Sequence, residues 1–72
     1  MDETKTIHIT SEYITLGQFL KFANIIGNGG QAKSFLAETK VLVNGEEENR
    51  RGRKLRDNDE VVVLGTSYRI RG

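Results

Sequence analysis

The six residues Ile14 to Phe19, Ile-Thr-Leu-Gly-Gln-Phe, fix where a helix begins. Thr15 stands as N-cap with Gln18 three positions on, the spacing at which a hydroxyl and a side-chain amide satisfy each other's backbone N–H groups. Ile14 and Phe19 hold the two positions of a hydrophobic staple across the same boundary. Beyond it Leu16, Phe19, Leu20, Ala23 and Ile26 recur at helical spacing on one apolar stripe. Lys21 falls on the opposite face, and so does Ile25, which the stripe does not explain. The run Gly27-Asn28-Gly29-Gly30 predicts the end of this helix. Gln31 to Glu38 then predicts a shorter one with Ala32, Phe35 and Leu36 turned inward.

Extended segments surround the helices. Lys5 to Thr10 alternates, with Ile7 and Ile9 on one face and His8 on the other as a surface residue. Val41-Leu42-Val43 followed by Asn44-Gly45 predicts a hairpin, because Asn-Gly suits a type I′ turn with positive φ at both positions. Asp57-Asn58-Asp59 reads as a turn, Val61 to Leu64 as a strand, Gly65-Thr66-Ser67 as a turn and Tyr68 to Arg71 as a last strand. The order β-α-α-β-β-β-β, with short connections, predicts an α+β fold: two short helices packed against a small, mostly antiparallel sheet. The chain has no proline, linker or repeat, so residues 1–72 are expected to form one domain.

Composition narrows the chemistry. A 72-residue chain lies near the lower limit for a core without staples, and with no cysteine it has neither disulfides nor thiolate metal sites. A lone His8 cannot build a zinc centre or a catalytic triad. Ser34 and Thr15 have no base beside them in sequence, and Thr15 already caps a helix. No catalytic residue, metal or cofactor is therefore expected. The first 20 residues carry early charges and no continuous apolar run, so no signal peptide or membrane span is expected. The expectation is a cytoplasmic, monomeric protein without membrane contact. A net charge of +1 gives no nucleic-acid signature by itself, so local distribution decides.

That distribution is uneven. Glu46, Glu47 and Glu48 precede a run of five basic residues in seven positions, Arg50 to Arg56. Exposed pairs contribute only about 0–1 kcal/mol, so stability is a weak reason for such clustering. The signs are separated rather than alternated, so the basic half retains a local field over about 8 Å, a Debye length at physiological salt. Gly52 gives the backbone room to present Arg50, Arg51 and Arg53 to phosphate oxygens, which arginine binds bidentately. Gly27 to Ser34 comes one residue from a phosphate-binding P-loop, with Ala32 where the last glycine belongs. It follows an amphipathic helix instead of a buried strand, which excludes nucleotide hydrolysis. What survives is a glycine-rich helix start with Lys33 in its first turn, which attracts an anion.

The run from Ile14 to Val63 resembles an S4 domain, the small RNA-binding module of ribosomal protein S4. The resemblance is carried by Leu16-Gly17-Gln18-Phe19-Leu20, Ala32-Lys33, the strand and turn Val41-Leu42-Val43-Asn44-Gly45, and the closing Asp57-Asn58-Asp59-Glu60-Val61-Val62-Val63. Gly29-Gly30-Gln31-Ala32-Lys33 and Asn49-Arg50-Arg51-Gly52-Arg53-Lys54-Leu55 look more narrowly like the short stand-alone bacterial members of the YaaA and YbcJ type. Many S4 domains begin their second helix with Ser-Arg, where this chain has Asn28, Gly29 and Gly30; Thr39 replaces a usual glycine. The resemblance implies the S4-like (αL) fold and a non-catalytic protein that binds structured RNA, ribosomal or tRNA-like, with ribosomal particles as a possible setting. It implies contacts from Lys21, Gln31, Lys33, Arg50, Arg51, Arg53 and Lys54 on one basic face. Recognition is expected to rest on shape and phosphates, with Tyr13 packing beside the helix cap and no aromatic stacking platform. The alternative expectation is a protein-interaction adaptor that uses the charged hairpin without touching RNA.

Overall fold

The computed structural model describes residues 4–72; the first three residues of the expected unit lie outside the described residues. In chain order the elements are β1 (Thr4–His8), β2 (Ile14–Thr15), α1 (Leu16–Phe22), α2 (Ala32–Glu38), β3 (Val41–Val43), β4 (Glu46–Glu47), β5 (Lys54–Leu55), β6 (Glu60–Val63) and β7 (Thr66–Arg71). A single 3-10 turn, Gly29–Gln31, leads into α2. Five strands form one sheet in the order β1-β7-β6-β3-β4, and β2 pairs with β5 separately. Only β1 and β7 run parallel; the other neighbours are antiparallel. The expected α+β architecture is the observed one.

The sheet has a covered face because its strands alternate. Val41, Val43, Val61, Val63, Tyr68 and Ile70 are buried, while Leu42, Val62 and Arg69 between them are only half-buried. Leu16, Phe19 and Leu20 of α1 and Ala32 and Leu36 of α2 join them in one core cluster. The centre of that contact is aromatic. The Phe19 and Tyr68 rings meet edge to face at 5.1 Å and 81°, the geometry their quadrupoles favour.

Helix α1 starts where its sequence directs. Gln18 N–H donates to Thr15 Oγ1 at 3.2 Å and Thr15 N–H to Gln18 Oε1 at 2.9 Å, completing the capping box. Its end is not where the glycines suggest. The chain leaves the helix at Asn24, which takes φ of 64°. Asn24 N–H then donates to the Lys21 carbonyl at 3.0 Å and Ile25 N–H to the Leu20 carbonyl at 2.9 Å. This is the paired closure of a Schellman motif, in which an apolar residue after the left-handed one folds back on the last turn. It accounts for Ile25, which packs against the core off the helical stripe. Periodicity alone carried the helix to Ile26 because asparagine can serve as the left-handed stop in place of glycine.

Two hairpins use left-handed pairs. Asn44 and Gly45 have φ of 52° and 85° between β3 and β4, as expected for type I′. The second falls one residue earlier than the sequence suggests, on Leu64 and Gly65 with φ of 52° and 76°. Thr66 and Ser67, expected in the turn, are already in β7 opposite Val63 and Val62. The register requires this, since Val61 and Val63 must both face the core.

Burial ranks the core substitutions. Phe19→Ala and Leu20→Ala, at fully buried positions, should each cost about 2–5 kcal/mol. Phe35→Ala should cost clearly less because Phe35 is only partly buried, and Thr15→Ala about 1 kcal/mol. Thermal or urea melts would check the order; a Phe35 variant as damaging as the Phe19 variant would contradict the packing described.

Candidate nucleic-acid interface

The basic run becomes a loop between β4 and β5 that is fastened to the start of α1. Arg53 N–H donates to the Arg50 carbonyl at 3.1 Å, closing a turn across Arg51 and Gly52. The turn then offers two carbonyls to the helix. Leu16 N–H donates to Arg53 O at 2.8 Å and Gly17 N–H to Arg51 O at 2.9 Å. These are first-turn amides that no helical carbonyl can reach. With Gln18 N–H on the cap hydroxyl, the first turn of α1 is filled by protein acceptors. The same docking sets Leu55 into the core opposite Ile14 and leaves Lys54, opposite Thr15, exposed.

The approach is closest at Gly17. A Cβ there would meet Ala32 Cβ at 3.4 Å, the Arg51 carbonyl oxygen at 3.4 Å and Arg51 Cβ at 3.5 Å, all within van der Waals contact. The basic loop and the start of α2 thus close onto α1 at one point. At Gly52, by contrast, a Cβ would meet nothing within 4 Å. The loop packs against α1 at Gly17, and Gly52 faces open space.

Glu48 organises the loop electrostatically. It is only 8% exposed, and it accepts from Arg50 Nε at 2.9 Å, Arg50 Nη2 at 3.1 Å, the Arg50 backbone N–H at 3.1 Å and Arg53 Nη1 at 3.4 Å. The side-chain hydrogen bonds from Arg50 dominate. They outweigh burial, which acts in the other direction, and with the backbone N–H and the charges of Arg50 and Arg53 they lower the carboxyl from 4.5 to about 2. The three glutamates are therefore not equivalent: Glu46 and Glu47 are exposed on β4, while Glu48 is an internal anchor.

The other basic residues divide between two adjoining surfaces. Lys21 and Arg51 line a shallow groove with Gly17, Gly29 and Gly52. Arg50, Arg53, Lys54 and Arg56 line a neighbouring cleft that also includes Gly52, so the two meet at the loop. Asp57 and Asp59 border that cleft, but their carboxylates are engaged locally. Asp59 accepts from Arg56 N–H at 2.8 Å and Asn44 Nδ2 at 3.1 Å, and Asp57 accepts from Gly72 N–H at 3.0 Å. Among the described residues Lys21, Lys33, Arg51, Lys54 and Arg56 make no ion pair.

Lys33 and Gln31 stand apart from this grouping. Lys33 is exposed on α2 and lines neither surface. Gln31 Oε1 accepts from Gly27 N–H at 2.6 Å and Asn28 N–H at 3.2 Å, so the glycine-rich turn closes on its own side chain. That leaves fewer amides for an anion than the sequence implied. Two residues missed by the sequence reading belong with the cluster. Arg56 was within the counted charge run but not among the expected contacts; its place one strand residue past Leu55, on the side of Lys54, was the available signal. Tyr13 does not pack inward: it is 37% exposed, with Lys54 Nζ 5.0 Å and Arg56 Cζ 5.7 Å from its ring centroid.

Two seven-residue helices on a mixed sheet, with a basic loop clasped to the first, define a small α+β domain of the S4 type. The sequence matches the S4 domain family over residues 7–71, and the chain belongs to that family. It is 59% identical over 59 residues to a protein of Bacillus subtilis (strain 168) named "Probable ribosome maturation protein RlbA", a match that spans 82% of this chain and 83% of that protein. The role of the family is RNA binding, and the relative's printed name places that protein in ribosome maturation.

Glu48 gives the loop a measurable pH dependence. Its folded pKa lies below the ordinary value, so its contribution is fully present above about pH 4.5 and is lost as pH falls towards 2. That contribution should be about 2 kcal/mol, reduced from the full shift because the Arg50 side chain is 72% exposed. Glu48→Gln should remove the same amount at pH 7 and flatten the stability profile between pH 5 and about pH 2, as urea melts across that range would register.

Proposed function

We propose that this chain is a non-catalytic RNA-binding protein that engages structured ribosomal RNA, within ribosomal particles, through the surface formed by Lys21, Arg51, Lys54 and Arg56. The observation that carries the reading is the fixed Arg50–Arg53 turn. Its carbonyls are committed to α1, while basic side chains that make no ion pair among the described residues stand around it. A flexible basic tail would lose conformational entropy on binding; this loop is already ordered, so its charges are pre-positioned for a backbone of fixed geometry. The maturation role printed for the Bacillus subtilis relative supports a ribosomal target. Lys33 and Gln31 contact the RNA at the margin of this surface, from the α2 side. The protein works in the cytoplasm as a monomer and needs no cofactor.

Within this reading the arginines differ in role. Arg50 and Arg53 neutralise Glu48 and shape the loop, while Arg51 and Lys54 meet phosphate directly. Each phosphate contact displaces condensed counterions, so affinity should fall log-linearly with salt. Arg51→Ala should flatten that slope by about one contact while leaving the melting temperature near that of the parent. Arg50→Ala should instead lower the melting temperature, because it strips a buried carboxylate of its main partner. Filter binding or fluorescence anisotropy with a ribosomal RNA fragment at several salt concentrations separates the two. An Arg51 variant that binds RNA as the parent does, with the same salt slope, would return the loop to the adaptor reading.

A further inference from the structure

We propose that the hollow between Tyr13 and Phe22 is a stacking site for a single unpaired nucleobase, adjoining the phosphate-binding cleft. The inference rests on the RNA-binding reading above and adds a second chemistry to it. Phe22 is 61% exposed although it lies on the last turn of a helix whose other large apolar residues are fully buried. Tyr13 is 37% exposed, and the two rings rim one concavity of about 450 Å³. Its remaining lining is the buried Ile9 and Ile14 together with the polar His8, Thr10, Ser11 and Gln18. That volume lies within the roughly 300–1,000 Å³ of small-ligand sites, and two rings with polar groups beside them suit a heterocycle that has an apolar face and a polar edge.

The charge beside it selects the occupant. Lys54 and Arg56 are the cations against the Tyr13 ring, and both also line the basic cleft with Arg50 and Arg53. Hollow and cleft therefore meet where Tyr13 of the one touches Lys54 and Arg56 of the other. A nucleotide has the matching pair of groups, a phosphate for the cations and an aromatic base for the rings. An apolar peptide side chain would use the hollow but leave the adjoining cations unmatched. Polar atoms are available at the rim for a base edge. Gln18 Oε1 is occupied by the Thr15 N–H, which leaves its Nε2 to donate, and the His8 imidazole is exposed. Stacking is tolerant of base identity, so the site should favour unpaired over paired nucleotides more than one base over another.

The test compares a hairpin RNA carrying unpaired loop purines with a blunt duplex of equal charge. The parent should bind the hairpin more tightly. Phe22→Ala should weaken hairpin binding by roughly tenfold, leaving duplex affinity and the melting temperature nearly unchanged, and Tyr13→Leu should weaken hairpin binding more than duplex binding. The Phe22 and Tyr13 ring protons should move upfield when the hairpin is added in an NMR titration, and Tyr13→Phe should retain the preference. The stacking site is overturned if both variants keep the parent's preference, if they weaken hairpin and duplex alike, or if the ring protons do not shift. If the parent binds neither RNA, the RNA-binding reading fails as well. If instead a protein binds the hollow and the variants lose that protein with RNA affinities intact, the occupant is a peptide and the proposal is wrong.

Discussion

Two backbone hydrogen bonds organise this molecule: Leu16 N–H to the Arg53 carbonyl and Gly17 N–H to the Arg51 carbonyl. Each contributes only about 1 kcal/mol net, yet their geometric consequence is large. They join a loop in the last third of the chain to the first turn of a helix in its first third. In doing so they align β5 with β2, deliver Leu55 to the core and fix the direction of the turn that carries the arginines. The helix gains as well, because its first amides find acceptors that a seven-residue helix cannot supply from within. Gly17 stands at the centre of this contact, where a Cβ would already touch the Arg51 carbonyl oxygen at 3.4 Å.

Charge is distributed on top of this attachment. In a chain with a net charge of +1 the acids near the loop are held in place by local contacts. Glu48 is turned inward and takes up Arg50 and part of Arg53, while Asp57 and Asp59 accept local backbone and side-chain donors. Lys21, Arg51, Lys54 and Arg56 are left without carboxylate partners among the described residues. The ion pair thus serves shape more than net charge. Removing its acid would leave two arginines without the contact that holds the turn, and the arginines left behind are exposed to water, at 72% for Arg50 and 34% for Arg53.

Aromatic groups follow the same division between inside and outside. Phe19 and Tyr68 spend their edges and faces on each other at the centre of the core. Tyr13 stands just before α1 against Lys54 and Arg56, and Phe22 is exposed on the last turn of that helix. One short helix therefore contributes to the core, to the loop attachment and to the exposed aromatic rim, from three of its faces. This economy is expected of a domain with little interior to spare.

Local chemistry made much of the fold legible in the sequence. Capping box, alternating strands and the Asn44-Gly45 turn each act over a few residues, so their residues name them directly. The same locality explains the misplaced boundaries: Asn24 and Leu64 adopt left-handed backbone because the Ile25 contact and the β6–β7 register demand it, and neither demand is visible in a short window. The basic run was legible as charge but not as shape. That Arg50 turns back onto Glu48, that Gly17 rather than Gly52 stands where the loop meets α1, and that Tyr13 joins Lys54 and Arg56 all require partners brought together by folding. The sequence by itself determined which residues could be helix, strand, core or charge, because propensity and periodicity are properties of neighbours in the chain. Only the tertiary structure decided which charges are spent and which remain available, because an ion pair or a contact between ring and cation depends on distance in space.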